Sequence, residues 1–192
     1  MVHHLPRALD REGELTAAGS LPPVNPAFPG WYADPELHFF EGKYWIYPTC
    51  SRIYEEQTTF EAFSSPDLEN WTNEGTILDF ADVPWSTNRA AWAPSAAFRN
   101  GRYYLCFSAG DGAGLGIAVA ESPKGPFRDA LGRPLVSEYF HGAQPIDAHL
   151  FQDRDGTPYL YWGGWRHAVM ARMSDDLLGF DSEIVEITPQ DY

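Results

Sequence analysis

The stretch PELHFFEGKYWIY, Pro35–Tyr47, decides the fold, because it predicts a strand, a tight glycine turn and a second strand. The same pattern returns in PSAAFRNGRYYLC, Pro94–Cys106, and again in DAHLFQDRDGTPYLYW, Asp147–Trp162. Runs this short, rich in aromatic residues and bounded by glycine turns, are typical of β-hairpins, and no window carries a long helical stripe. We therefore expect a chain built from a repeated β-hairpin.

Two separate markers give the repeat its period. The first is the turn glycine, which recurs roughly every 55–59 residues, at Gly42, Gly101 and Gly156. The second is a serine at the end of the third strand of each repeat, at Ser65, Ser122 and Ser174. Repeats of this length are typical of propeller blades, so we predict an all-β propeller of four-stranded antiparallel blades.

The repeats divide the chain into an N-terminal leader at 1–24 and three blades, roughly at 25–88, 89–143 and 144–192. Three blades do not close a ring, because each blade of a propeller covers its faces with two neighbours. We therefore expect a partial propeller: either a fragment of a longer protein, or a chain completed by a second chain or another copy of itself.

The composition limits the ligand. The sequence has 192 residues, of which 44% are hydrophobic, and a net charge of −14. This apolar content is sufficient for a folded core. An acidic chain repels phosphate groups, so we expect no nucleic-acid partner and favour a neutral ligand. Aromatic residues make up 15% of the chain; they suit β-sheets, and they also offer flat faces to sugar rings.

The N-terminal residues 1–7 contain no apolar signal segment, and no stretch is long enough to cross a bilayer. We therefore predict a cytoplasmic protein with no membrane partner, or a secreted one if a signal sequence has been removed. Cys50 and Cys106 are expected to be free thiols rather than a disulfide.

Asp34 lies in the strongest local motif, NPAFPGWYADP at 25–35. An aspartate before proline is biased to extended backbone, and the neighbouring Trp31 and Tyr32 offer a wall for a ring-shaped ligand. A turn aspartate at the start of a strand is the structural alternative. Asp147 occupies nearly the same place in the third repeat. Two acids at matching blade positions predict one shared pocket.

The second repeat carries no acid at this place, but the sequence AAWAPS at 90–95. Trp92 suits either the hydrophobic core or the floor of a sugar subsite. Ser95 suits either a turn cap or a group that binds a sugar hydroxyl.

Four separated motifs follow one another along the chain: ADP at 33–35, WAP at 92–94, AVAESPKGPF at 118–127, and Ile146-Asp147 with Phe151. In this order and spacing they resemble glycoside hydrolase family 43, over about residues 25–188. The resemblance implies a five-bladed propeller, with about three blades in this chain, and an enzyme that inverts the anomeric centre of arabinosides and xylosides. It also implies that Asp34 is the general base, and that Asp147 orients the proton donor and raises its pKa.

Two departures from the family pattern are visible. The family's proton donor is a glutamate in a Glu-Gly-Pro motif, which does not occur in this sequence, so we expect the general acid to be absent. The motif of the second blade often continues with an aspartate, where this chain has Ser95. The predicted substrate-binding residues are Trp31, Tyr32, Trp92, Ser95, His149 and Phe151, with a structural role as the alternative for His149.

The predicted function is the N-terminal part of an inverting α-L-arabinofuranosidase or β-xylosidase of hemicellulose degradation, acting on a neutral pentose-containing saccharide and inactive on its own. A non-catalytic carbohydrate-binding or scaffold module is the alternative from another class. A sucrose or fructan hydrolase fits less well, because ADPE at 33–36 departs from its Asn-Asp-Pro-Asn motif. No cofactor is predicted; the resemblance allows a structural Ca²⁺, whose ligands the sequence does not identify.

Overall fold

The computed structural model describes residues 26–110 and 113–190, so the leader predicted at 1–24 lies outside the described residues. Regular structure in the described residues consists of strands and two single turns of 3₁₀ helix, Tyr54–Glu56 and Phe80–Asp82. The strands are β1 (Tyr32–Phe40), β2 (Lys43–Cys50), β3 (Thr59–Ser65), β4 (Thr72–Asp79), β5 (Trp92–Arg99), β6 (Arg102–Ala109), β7 (Gly114–Ala120), β8 (Arg128–Asp129), β9 (His149–Gln152), β10 (Pro158–Trp162), β11 (Val169–Arg172) and β12 (Val185–Glu186).

These strands form three antiparallel sheets of four strands each, in the orders β1-β2-β3-β4, β5-β6-β7-β8 and β9-β10-β11-β12. Neighbours in each sheet are also neighbours in sequence, so each sheet is a simple meander, as the repeat predicts. We refer to the sheets as blades one, two and three. No helix in the described part of the chain is long and apolar enough to cross a membrane.

The turns that join the first two strands of each blade follow from the glycine marker. Glu41 and Gly42 have φ values of 51° and 76°, and Asn100 and Gly101 have 50° and 78°. Two successive residues in the left-handed region give the turn type whose twist matches that of a β-hairpin. The third turn also relies on a left-handed glycine, Gly156, with φ at 87°.

The core lies between the blades, and β6 shows how it is built. Tyr103, Leu105 and Phe107 face one way, into a cluster shared with blade one. The alternate residues Tyr104 and Cys106 face the other way, into a cluster shared with blade three. Because successive side chains of a strand point to opposite faces, one strand of the middle blade contributes to both interfaces.

The outer face of blade one, by contrast, is open. Leu37 and Phe39 are 52% and 61% exposed, while Phe40, on the opposite face of the same strand, packs against the core shared with blade two. Cys50 and Cys106 are both buried and free. Burial raises the pKa of the Cys106 thiol to about 12, so this cysteine stays protonated and acts as a small apolar core residue.

Candidate active site

In each blade, one residue at the start of the first strand, or just before it, has left-handed backbone. Asp34, Ala93 and Asp147 have φ values of 49°, 43° and 54°, and they occupy equivalent places in the three repeats. In blades one and two the strand pairing shifts register across this place, which marks a β-bulge. A bulge redirects the side chain that it carries, and a non-glycine residue in this region is strained. The fold therefore repeats one costly conformation at the predicted acid positions.

The prediction that Asp34 is extended because it precedes Pro35 was wrong. Its φ of 49° places it in the left-handed region. The local bias of the residue before proline is overruled here because the bulge between Ala33 and Glu36 needs one residue to leave the regular strand.

A repeated hydrogen bond fixes these bulges between blades. The Ala93 amide of blade two donates to Thr49 Oγ1 of blade one at 2.8 Å, and the Asp147 amide of blade three donates to Ser108 Oγ of blade two at 3.1 Å. Thr49 lies opposite Ala33, and Ser108 lies opposite Trp92, so the two hydroxyls occupy equivalent positions. Ala93 and Asp147 are thus each held by the second strand of the preceding blade, and we refer to Asp34, Ala93 and Asp147 together as the bulge positions.

The charge of Asp34 acts on Asp147. Partial burial, and then the negative charge of Asp34, raise the pKa of Asp147. Asp34 Oδ2 also accepts a hydrogen bond of 2.9 Å from Thr49 Oγ1. The charge of Asp34, in blade one, therefore reaches Asp147, in blade three.

Trp31 and Tyr32 line an open cleft of about 400 Å³, together with Cys50, Ser51 and Arg52. Trp31 is 84% exposed and presents its ring to solvent. Tyr32 is half-buried, and burial, followed by the charge of Glu61, raises its pKa. An exposed indole beside a polar cleft has the form of a surface that stacks on a sugar ring.

Trp92 and Phe151 lie in the second and third blades. Trp92 is half-buried, and its Nε1 donates to Oε1 of Gln57, in the connection between β2 and β3. Its ring centroid lies 6.0 Å from that of Tyr54. Phe151 is 40% exposed and meets the ring of Tyr161 edge-on at 6.0 Å. Both side chains retain accessible surface, so both keep the capacity to contact a ligand.

Ser95 does not have the role that the sequence suggests. It lies inside β5 rather than in a turn and is only 2% exposed. Its hydroxyl donates to Glu36 Oε1 at 2.9 Å and accepts from the Leu150 amide at 2.9 Å. The hydroxyl is therefore used by the protein, and we correct its assignment from sugar binding to linking the three blades.

His149 approaches the same glutamate, with Nδ1 at 2.9 Å from Glu36 Oε1. This contact raises the pKa of His149, partly opposed by burial. A structural role for His149 is therefore supported by its contact with the Glu36 carboxylate. Glu36 itself is absent from the residues predicted for the site, because in the sequence it is only one of several polar residues of its strand, beside Asp34 and His38.

The described residues contain no group of three His, Cys, Asp or Glu side chains arranged to hold a metal ion. The structural Ca²⁺ that the resemblance allows therefore finds no ligand set in residues 26–110 and 113–190, and no step considered below depends on a metal.

Comparison with known proteins places the chain in a family. The sequence model of "Glycosyl hydrolases family 43" matches residues 23–191. The chain belongs to glycoside hydrolase family 43. This family 43 chain is also 52% identical over 179 residues to a β-D-galactofuranosidase of Aspergillus niger, covering 88% of the chain and 53% of the relative. It is 36% identical to a xylosidase/arabinosidase of Humicola insolens, covering 69% of the chain and 43% of that enzyme.

Solved structures agree with the fold. An α-L-arabinofuranosidase of Clostridium thermocellum superposes with a TM-score of 0.71 at 31% identity, over 82% of this chain and 56% of that one. A Bacillus subtilis arabinoxylan arabinofuranohydrolase, solved with cellotetraose, gives 0.76 at 27% identity, over 86% and 42%. The family 43 chain spans about half the length of the relatives it matches. Its three sheets are blades of the family's β-propeller, as predicted.

Proposed function

We propose that this chain supplies the general base and the auxiliary acid of an inverting glycoside hydrolase that acts on neutral saccharides. The observation that supports it most is that Asp34 and Asp147 occupy equivalent left-handed positions of two blades, with the charge of one raising the pKa of the other. Membership of family 43 supports the class of reaction. The roles of Asp34 and Asp147 in this proposal are those that the family resemblance implies.

In the proposed reaction, Asp34 takes a proton from a water molecule as that water attacks the anomeric carbon. The hydrogen bond from Thr49 orients the Asp34 carboxylate and leaves its other oxygen for the water. The bond to the departing sugar oxygen breaks on the opposite side of the ring, so the anomeric configuration inverts. Inverting enzymes hold base and donor about 6.5–9.5 Å apart, because the water lies between them.

Asp147 acts on the proton donor rather than on the sugar. A negative charge beside a carboxylic acid disfavours its ionisation and keeps it protonated near neutral pH. The donor in the family is a glutamate in a Glu-Gly-Pro motif, which this sequence does not contain. We assign no donor within the described residues: Glu186, in the outermost strand β12, is paired instead with His167 at 3.4 Å.

For the sugar, we propose a terminal arabinofuranosyl, xylosyl or galactofuranosyl residue. Arabinosides and xylosides follow from the motifs, and the names of the relatives support all three sugars. A galactofuranosyl ring differs from the arabinofuranosyl ring by an added exocyclic carbon, which requires extra space at the edge of the pocket. The open cleft beside Trp31 and Tyr32 offers such space.

The test joins this chain to the C-terminal half of the 52% identical Aspergillus niger relative, giving what we call the completed enzyme. It is assayed with aryl α-L-arabinofuranoside, β-D-xyloside and β-D-galactofuranoside, and the anomer first released is identified by NMR. We expect turnover with inversion, and loss of about a hundredfold to ten-thousandfold in D34N. D67N, an exposed aspartate of blade one, is the control. Retention of configuration, or full activity in D34N, would contradict the proposal.

The isolated 192-residue chain should show little or no turnover, because a missing general acid alone costs about a hundredfold to ten-thousandfold. The second candidate, a saccharide-binding module without catalysis, rests on the exposed Trp31. Calorimetry with xylotriose and arabino-oligosaccharides, combined with the turnover assay, distinguishes the two. A binding module keeps its affinity for these saccharides, while the completed enzyme turns over no substrate.

Sedimentation of the isolated chain tests whether a second copy covers the open face of blade one.

A further inference from the structure

The residues two places after the three left-handed bulge positions form a second set of equivalent positions. Asp34 is followed by Glu36, Ala93 by Ser95, and Asp147 by His149. The bulge positions and the residues two places after them therefore form two successive layers at the same end of β1, β5 and β9. These are the first strands of the three blades, which we call the inner strands. The upper layer consists of the bulge positions and so contains the proposed catalytic acids. The lower layer consists of Glu36, Ser95 and His149, which are joined by hydrogen bonds.

Glu36 is the centre of the lower layer. Its Oε1 accepts hydrogen bonds from Ser95 Oγ and from His149 Nδ1, each at 2.9 Å. Its Oε2 accepts from the Ala96 amide at 2.5 Å and lies 2.9 Å from His38 Nε2. One carboxylate thus joins the inner strands of all three blades, and Ser95 extends the network to the Leu150 amide.

The charge on Glu36 is stable although its side chain is only 18% exposed. Burial by itself raises the pKa of Glu36, but hydrogen bonds from His149, His38 and the Ala96 amide outweigh it and hold the pKa at about 2. The carboxylate is therefore ionised at every pH at which the protein is expected to work. A buried carboxylate with such partners is costly to disturb, because removing its charge leaves donors without a matched acceptor.

We propose that Glu36 is a positioning residue: by tying Ser95 and His149 to blade one, it fixes the bulges above them and so sets where Asp34 and Asp147 lie. The link to catalysis rests on the proposed function. Left-handed residues persist only where their surroundings over-determine them. Glu36 supplies that constraint from below, while the Thr49 and Ser108 hydroxyls supply it from the neighbouring strands.

The network has a definite pH dependence. The groups that face Glu36 are His149 and His38, with its charge also felt by Tyr47 and Cys106, whose pKa values are raised chiefly by burial. The pKa of His149 is raised, so protonated His149 strengthens the contact at low pH. This contribution is lost as pH rises through the folded-state pKa of His149. The positioning of the acids should therefore loosen on the alkaline side.

The first experiment uses the isolated chain and follows the His149 ring and backbone amides by NMR. E36Q keeps the shape and one carbonyl acceptor but removes the charge. We expect the pKa of His149 to fall toward its ordinary value of 6.5, and the amide signals of Asp34, Ala93 and Asp147 to move. The control is E41Q, which also removes a glutamate that bonds blade two, through Tyr103, but at the opposite end of β1. E41Q should leave all four signals in place.

An unchanged His149 pKa in E36Q would overturn the proposal. A lowered pKa with unmoved amide signals at the three bulges would also overturn it, because Glu36 would then be only an ion-pair partner. If E36Q does not fold, H149Q replaces it: this variant keeps Glu36 and its bonds to blade two, and should still move the Asp147 amide.

The second experiment uses the completed enzyme. E36Q should lower kcat by about a hundredfold, as expected for misplaced acids, leave KM within a few-fold, and shift the alkaline limb of the rate profile to lower pH. E36D, which retains the charge, should restore part of the rate. Unchanged kcat and pH profile in E36Q would contradict the positioning role. Loss of activity in the parent completed enzyme would instead count against the proposed function, since the NMR test does not use turnover.

Discussion

The hydroxyl of Thr49 donates a hydrogen bond of 2.9 Å to Oδ2 of Asp34. The Thr49 hydroxyl oxygen also accepts a hydrogen bond from the Ala93 amide of the next blade, at 2.8 Å. Thr49 is 4% exposed, so water does not compete for either bond. The side chain that orients the proposed base, Asp34, therefore also fixes the bulge at Ala93. The orientation of Asp34 depends in this way on the packing of two blades.

Replacing Thr49 tests this coupling. T49V keeps the shape of the side chain but removes both the donor to Asp34 and the acceptor for the Ala93 amide. We expect a loss of about 1–3 kcal/mol in the free energy of unfolding, because a buried amide is left unpaired. Urea unfolding of the isolated chain measures it.

Serine at the same position separates shape from hydrogen bonding, and T49S should recover most of the stability. S108A removes the equivalent acceptor below Asp147 without touching Asp34. In the completed enzyme T49V should therefore reduce kcat more than S108A does. Equal effects of the two variants would show that the bond to Asp34 has no role in the reaction.

The raised pKa of Asp147 predicts the sign of a stability change. A carboxyl with a raised folded-state pKa binds its proton more tightly when folded, so stability falls as pH rises above the ordinary value of 3.8. D147N removes this effect and retains the backbone bond to Ser108. The variant should be more stable than the parent at neutral pH, and the difference should vanish below pH 3.8.

Chemical unfolding at several pH values checks this prediction. D181N, which changes an exposed aspartate of the same blade, is the control and should show no such trend. D34N should also stabilise the chain at neutral pH, because it removes the charge that acts on Asp147. A D147N chain that is less stable at neutral pH than the parent would show that the carboxylate is stabilised by the fold.

Trp31 should contribute to binding but not to folding. Its side chain is 84% exposed, so W31A removes little buried surface and should leave the unfolding midpoint unchanged. In the completed enzyme we expect arabino-oligosaccharides to bind about tenfold more weakly, which corresponds to about 1.4 kcal/mol. Calorimetry measures the affinity. W45F, a change at a buried tryptophan of the same blade, should do the reverse and lower stability alone.

Tyr47 joins blades one and two at the core. It is fully buried, and its hydroxyl donates to the Pro123 carbonyl at 2.8 Å. Y47F should lower the free energy of unfolding by about 0.5–1.5 kcal/mol, the net contribution of one hydrogen bond. Y103F removes a bond to Glu41 at the protein edge, where water can replace the lost group, and should cost less. Thermal unfolding of both variants measures the two losses of stability. A larger loss in Y103F than in Y47F would contradict the prediction.

Much of the architecture could be predicted from local signals. The glycines at 42, 101 and 156 lie in the turns expected of them, and the stretches 35–47 and 94–106 form the predicted pairs of strands. These features depend on residues close in sequence, whose backbone preferences and period-two pattern act before any blade meets another. The repeat also predicted that Asp34 and Asp147 occupy equivalent positions of two blades, and both have left-handed backbone there.

The contacts that hold the site could not be predicted in this way. The bonds of Glu36 to Ser95 and His149 join residues 59 and 113 positions apart, and the bond from Leu150 to Ser95 spans 55. The same distant contacts make Ser95 a buried link between blades rather than a ligand candidate. Local patterns were therefore sufficient to predict the repeat, the strands and the candidate acids. Which groups meet depends on how one blade packs against the next, because hydrogen bonds between blades join residues that no local pattern relates.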